Sequence, residues 1–288
     1  MRFVVVFLFC IALMHAFSFD IKAPTVANGQ TSMIIFKAEE GAAYTKALLG
    51  TKEYKIFQNP FKSEEFYVLI PVDYYTKQGN KKIEIHFDKE GKKEKKHLFI
   101  RVEDGNYPKE ELRVDSAKVH LSKADSQRAA REYKEAIAIY NTITPKSLVI
   151  SQFVVPLETK ITSEFGRART YNQTLKSYHG GTDFRAPIGL PIKASNDGVV
   201  VLAKDRFYSG KTIILDHGHG VYSVYFHLSE LHAKEGDKVQ KNAIIGLAGD
   251  TGRVTGPHLH FGMRVHGAQV DPLQCIALLN SHLIKEIQ

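Results

Sequence analysis

Cysteine is nearly missing from this chain, which holds only Cys10 and Cys275. Cys10 lies inside the apolar run at the N-terminus. If that run is removed as a leader, Cys275 stands alone and no intramolecular disulfide can form. The mature protein would then rely on packing, and on any bound metal, for its stability. Long apolar runs are also scarce. The one from Phe3 to Met14 is too short to span a bilayer comfortably. With Arg2 before it and the small residues Ala16 and Ser18 after it, segment 1–18 reads as a signal peptide. The alternative is a retained membrane anchor. Phe9, before Cys10, is a poor fit to the small residue that a lipoprotein signal needs. No stable membrane span is expected after leader removal.

An acidic excess is missing too. Lys and Arg number 39 against 31 Asp and Glu, a formal charge of +8. A basic balance can serve nucleic acid or an anionic surface. Here a Lys-rich stretch such as Gly91–Lys96 reads as a solvated hairpin tip, and no dense basic patch interleaved with aromatics occurs. Together with export, this excludes nucleic acid as the expected partner. Hydrophobic residues at 43% and charged residues at 24% of 288 fit a globular chain of about two domains.

The first region, 19–105, reads as a small antiparallel β-sandwich. Its strand candidates are Met33–Phe36, Glu65–Val72, Lys82–Phe87 and His97–Val102, separated by Asn28-Gly29, Gly79-Asn80 and Glu90-Gly91. His86 and His97 are packing or surface residues in this reading. Segment 106–150 reads as a helical linker. Ala129, Ala130, Tyr133, Ala136, Ile137 and Tyr140 recur at helical spacing over Ser126–Tyr140. Asp125 or Ser126 is the expected cap, and Thr144-Pro145 the stop. The next region, 151–275, is glycine-punctuated, with short strands throughout, and 276–288 is a tail. An apolar helix is expected over Leu273–Leu283. The fold class is therefore mainly β.

Two segments concentrate metal-competent side chains. One is Tyr178-His179-Gly180-Gly181-Thr182-Asp183, the other Gly256-Pro257-His258-Leu259-His260-Phe261. Residues of equal parity on a strand share a face. If both segments are extended, His179 and Asp183 share one face, and His258 and His260 another. Two imidazoles and a carboxylate can hold a zinc ion that keeps an open position. His227, ending the strand candidate Val221–His227, is a further candidate beside such a site.

The ordered set of motifs resembles the lysostaphin-like, LytM-type zinc endopeptidases, which cut the peptide part of bacterial peptidoglycan. The set is Ser163-Glu164-Phe165-Gly166-Arg167, His179-Gly180-Gly181-Thr182-Asp183, Ala186-Pro187-Ile188-Gly189, Gly198-Val199-Val200, Asp216-His217-Gly218, Tyr225-Phe226-His227-Leu228, Val239-Gln240-Lys241-Asn242-Ala243-Ile244-Ile245-Gly246, Gly249-Asp250-Thr251-Gly252 and Thr255-Gly256-Pro257-His258-Leu259-His260-Phe261. It runs from about Phe153 to Pro272. The resemblance implies that His179, Asp183 and His260 bind one Zn2+ per chain. It implies that His258 and His227 are the catalytic pair, orienting water and stabilising the oxyanion. It implies a metalloendopeptidase of the periplasm or cell envelope, with peptidoglycan stem peptides as its partners. The alternative is a non-catalytic, peptidoglycan-binding or hydrolase-activating protein of the same fold. Every expected residue type is present, which favours the enzyme.

Lesser candidates take structural readings. His217 is support for the site, while His219 and His232 are expected to be exposed. Arg167 and Arg185 are candidates to meet the substrate's carboxylates, but a place on the surface or a role in supporting the fold is the expected reading for each. Gly249–Gly252 is expected to be a turn beside the site, since no lysine or helix signal follows it as a phosphate loop requires. The domain order suggests that the N-terminal sandwich or the linker helix covers the groove or steers entry to it.

Overall fold

The computed structural model describes residues 19–112, 121–171 and 175–284. The leader read at 1–18 and part of the linker lie outside the described residues.

The N-terminal region runs through β1 (Asp20–Lys22), β2 (Thr25–Ala27), β3 (Thr31–Lys37), β4 (Ala42–Leu49), β5 (Lys52–Lys55), β6 (Phe57–Asn59), β7 (Lys62–Pro71), β8 (Gly79–Lys89), β9 (Lys92–Glu103) and β10 (Lys109–Leu112). Two sheets, β1-β3-β7-β6 and β2-β9-β8-β4-β5, face each other. Ile34, Phe36, Val68 and Ile70 of the first share a core with Ile83, Ile85, Ile100 and Val102 of the second. The expected sandwich is present. Glu90 and Gly91, both at positive φ, form the two-residue turn between β8 and β9.

In β3 the apolar residues Met33-Ile34-Ile35-Phe36 follow one another without a break, and all are buried. A continuous apolar run marks a strand covered on both faces. Ile34 and Phe36 enter the sandwich core. Met33 and Ile35, with Tyr67 and Leu69 of β7, instead join the core of the C-terminal region. The first sheet thus belongs to two cores at once.

Helix α1 (Lys123–Asn141) starts three residues earlier than the apolar spacing suggested. Its cap is Ser122, not Asp125 or Ser126. The Ser122 Oγ accepts from the Asp125 N–H at 3.1 Å and donates to the Asp125 carboxylate at 2.7 Å. This reciprocal pair resembles a capping box and extends the helix by a polar turn that periodicity cannot detect.

The C-terminal region holds β11 (Ile161–Ser163), β12 (Ala168–Tyr171), β13 (Leu175–Tyr178), β14 (Thr182–Arg185), β15 (Pro191–Lys193), β16 (Gly198–Arg206), β17 (Gly210–Asp216), β18 (Val221–Leu231), β19 (Lys238–Val239), β20 (Ile244–Ala248), β21 (His258–Val265) and β22 (Ala268–Val270). The main sheet follows the order β11-β14-β21-β18-β17-β16-β19, antiparallel throughout. Strand β21 shows how it divides. Leu259, Phe261, Met263 and Val265 face the core, beside Tyr225 and Cys275. His258 and His260 face the other way. Helix α1 lies on that second face, where Tyr140 packs with Leu202, Ile214, Tyr222 and Val224. The linker helix and the histidines therefore share one side of the sheet.

The expected tail helix is present as α2 (Pro272–Leu278), continued by a π-type turn at Leu279–Leu283. Asp271 caps it, accepting from the Leu273 and Gln274 N–H groups. Gln274 bonds both the N–H and the carbonyl of Thr31, each at 2.9 Å, so α2 is clipped to β3. Cys275 is buried and unpaired, and burial pushes its thiol up to about 12. Among the described residues no helix is long and apolar enough to cross a membrane.

Candidate metal centre

His179 does not lie on the strand that carries Asp183. β13 ends at Tyr178 and β14 begins at Thr182. The expectation of one extended segment over 179–183 is corrected here. The pair Gly180-Gly181 makes the break. A Cβ on Gly181 would stand 2.4 Å from the Phe261 carbonyl oxygen and 2.6 Å from His260 Nε2. Only glycine lets the chain pass that close to β21. Beyond the break, the β14–β21 register sets Asp183 directly opposite His260.

Three ligand-type atoms converge as a result. His179 Nε2 lies 2.8 Å from Asp183 Oδ1, His260 Nδ1 lies 2.8 Å from the same oxygen, and the two nitrogens are 3.0 Å apart. All three residues are buried. Donors on a tetrahedral zinc, with bonds of about 2.0–2.1 Å, stand about 3.3 Å from one another. The trio therefore fits such an ion after an opening of a few tenths of an ångström.

Surrounding groups fix the orientation of these side chains. His179 Nδ1 lies 2.8 Å from the Glu164 carbonyl and 3.1 Å from Ser163 Oγ. Donation from Nδ1 to that carbonyl leaves Nε2 with its lone pair toward the centre. The other Asp183 oxygen, Oδ2, faces Arg169 Nη2 at 3.4 Å. The ring of Phe226 stacks on His260, with centroids 5.1 Å apart and planes 9° apart.

His258 and His227 flank this trio. Each directs Nδ1 at a main-chain carbonyl, His258 at Gly256 (2.8 Å) and His227 at Thr251 (2.9 Å). Each Nε2 is thereby left for the cleft. His258 Nε2 is 3.7 Å from Asp183 Oδ1, and the two rings are 4.9 Å apart. His227 has a φ of +64°, a costly conformation for a side chain with a Cβ. Its N–H leaves the ladder to bond Ser209. Asp183, His227, His258 and His260 line a cleft of about 320 Å³ that Glu110, Arg169 and Arg253 also line, and His179 is buried against Asp183 and His260.

The electrostatics match these contacts. Burial works to raise the Asp183 carboxyl, but hydrogen bonds from His179 and His260 outweigh it and hold the pKa well below the carboxylate range. Burial lowers His260 to about 4, against the pull of Asp183. Burial, with His260 and His258 nearby, lowers His227 to about 3. Near neutral pH the centre thus offers an ionised carboxylate and, at His260, an uncharged imidazole, the forms that metal binding requires.

The lesser candidates divide. His217 is buried and bonded at both nitrogens, to the Asp197 carbonyl at 2.7 Å and Ser223 Oγ at 2.8 Å, so it supports the fold. His219 is not exposed. It is buried under the first N-terminal sheet, stacked on Phe57 and bonded to the Tyr67 hydroxyl at 2.7 Å. The packing of one region on the other covers it. His232 and Arg185 are exposed. The Gly249–Gly252 segment does turn beside the centre, where Thr251 holds His227. Arg169, Glu110 and Phe226 escaped sequence reasoning. Phe226 is cross-strand to His260, which strand parity would have shown. Glu110 and Arg169 carry no motif signal.

The geometry defines a class: an antiparallel β domain with a buried His-Asp-His centre and two further imidazoles at its cleft. The comparisons with known proteins narrow it. Residues 177–272 match the family model of Peptidase family M23. Peptidoglycan DD-endopeptidase ShyA of Vibrio cholerae is 40% identical over 124 residues, 43% of this chain and 29% of that protein. DD-carboxypeptidase/endopeptidase Mpg of Neisseria meningitidis is 40% identical over 116 residues, 40% of this chain and 26% of that protein. The matches thus span under a third of these relatives' length. The crystal structure of a putative peptidase M23 from Pseudomonas aeruginosa superposes with a TM-score of 0.66 at 26% identity, over 88% of this chain and 95% of that one. That likeness extends beyond residues 177–272 into the N-terminal region.

Proposed function

We propose that this protein is a zinc-dependent metalloendopeptidase that hydrolyses peptide cross-links of bacterial peptidoglycan in the periplasm or cell envelope. The observation that carries the reading is the convergence of His179, Asp183 and His260 in a cleft that two more imidazoles line. In this reading these three residues hold one zinc ion. When bound, zinc acts as the Lewis acid that polarises the scissile carbonyl and makes water nucleophilic near neutral pH.

The remaining work falls to the two imidazoles. His227 is neutral, because burial lowers it to about 3, and its Nε2 accepts a hydrogen from the attacking water. Donation from Nδ1 to the Thr251 carbonyl fixes that tautomer. His258 holds Nδ1 2.8 Å from the Gly256 carbonyl and Nε2 3.7 Å from Asp183 Oδ1, so the imidazolium form of this ring carries its second proton on Nε2. Its Nε2–H suits donation to the developing oxyanion, and then of a proton to the leaving amine. The names of the relatives ShyA and Mpg motivate a bond between two D-configured residues.

The test uses purified murein and defined muropeptide dimers. Chelation should abolish turnover, zinc should restore it, and mass spectrometry of the products should identify the broken bond. Asp183→Ala should be inactive. Turnover that survives chelation, or purified protein that never retains zinc, sinks the reading and favours a non-catalytic wall-binding protein.

A further inference from the structure

We infer that Arg169 is a specificity-determining residue that receives a free carboxylate of the substrate, and that Glu110 fills its guanidinium until substrate arrives. The inference rests on the peptidoglycan-peptide reading above for the nature of the ligand.

Arg169 stands on β12 with its side chain 15% exposed, and it lines the cleft of the metal centre. Its Nη2 meets Ser163 Oγ at 3.0 Å and Asp183 Oδ2 at 3.4 Å. Its Nε meets Glu110 Oε2 at 3.1 Å. Ser163 and Asp183 belong to the centre and hold one edge of the guanidinium still. Glu110 comes from elsewhere. It lies on β10, before α1 and outside the matched residues 177–272. The parallel pairing of β10 with β12 sets it opposite Arg169.

A guanidinium offers a planar set of donors that matches a carboxylate, and such a pair is strongest where water is partly excluded. Arg169 already holds one carboxylate on its Nε side, which shows that a carboxylate fits there. Glu110 is the more exposed partner, at 29% against 15%, so it is the one able to swing into solvent. Wall peptides carry free carboxylates beside their amide links. A substrate carboxylate entering the cleft meets Glu110 as a like charge and Arg169 as its counter-charge. Exchange of one carboxylate for the other keeps Arg169 paired throughout and requires no movement of Asp183. Specificity then has two parts, attraction by Arg169 and exclusion of competitors by Glu110.

The experiment measures binding, not turnover. Full-length, zinc-loaded protein carrying His258→Ala is titrated calorimetrically with a synthetic tetrapeptide ending in D-Ala. The peptide is supplied as the free acid and as the carboxamide. Adding Glu110→Gln should tighten binding of the acid about tenfold, by removing a like charge a few ångströms away, and leave the amide unchanged. A change shared equally by both peptides, no change in either, or weaker binding of the acid overturns the inference. Hydrolysis of murein by the unmodified chain is measured in parallel. Its failure indicts the proposed function, whereas intact hydrolysis with an unmoved acid preference indicts Arg169 alone.

Discussion

Gly181→Ala isolates the geometric condition on which the centre depends. The new Cβ would stand 2.4 Å from the Phe261 carbonyl oxygen and 2.6 Å from His260 Nε2. Ordinary heavy-atom contact is about 3.5 Å, so β14 and β21 must part by roughly 1 Å at this point. Gly181 has no positive φ, and the cost is one of space rather than of backbone strain. The nearest obstacle is main chain and cannot rotate away. Overpacking of this kind costs ~1–3 kcal/mol, or a fall in Tm of about 3–10 °C for a chain of this size. The effect on metal should exceed the effect on folding. Asp183 lies two residues on and must keep its 2.8 Å approach to His260, while metal sites tolerate displacements of only about 0.5 Å. Zinc affinity should fall by about 10- to 100-fold. Zinc retention against graded chelator, read beside thermal unfolding of the metal-free protein, separates the two effects. Retention and Tm equal to those of the unsubstituted protein would refute the argument.

Two further predictions concern stability. His217 is buried with its pKa lowered by burial to about 4, against an unfolded value near 6.5. The unfolded chain binds the proton first, so this contribution is whole above pH 6.5 and declines as pH falls toward 4. The loss by pH 4.5 is about 2–3 kcal/mol. Urea midpoints of metal-free protein should drop between pH 7.5 and 4.5, and His217→Asn should shrink the drop; a drop of the same size in that variant would count against His217 as its source. Tyr67→Phe removes the hydroxyl that donates to His219 Nδ1 at 2.7 Å. It leaves a buried nitrogen unpaired, at a cost of about 1–3 kcal/mol. Equilibrium unfolding that shifts by less than 0.5 kcal/mol, a threshold set by the ~0.5–1.5 kcal/mol of an ordinary hydrogen bond, would mean that water replaces the hydroxyl.

Much of the C-terminal region was legible because local pattern and tertiary role agree there. In β21 the alternation of Leu259, Phe261, Met263 and Val265 with His258 and His260 is both the strand signal and the division between core and cleft. Strand β4 shows the opposite case. Its Ala-Ala-Tyr-Thr-Lys-Ala-Leu-Leu is rich in helix formers and becomes a strand because β5 and β8 flank it. His179 was placed on a strand by parity, which carries no information about a break made for close approach. The burial of His219 and the arrival of Glu110 at the cleft depend on long-range packing. No spacing within either segment encodes it.

The most direct test compares His258→Ala with His260→Ala for zinc content and for turnover of a cross-linked muropeptide dimer. His260 supplies Nδ1 to the converging trio, whereas His258 approaches Asp183 only to 3.7 Å. His260→Ala should lose both zinc and turnover. His258→Ala should keep about one zinc per chain and lose turnover by about 10²–10⁴-fold. Equal loss of zinc in both variants would contradict the division of roles, and full turnover in His258→Ala would contradict the mechanism itself.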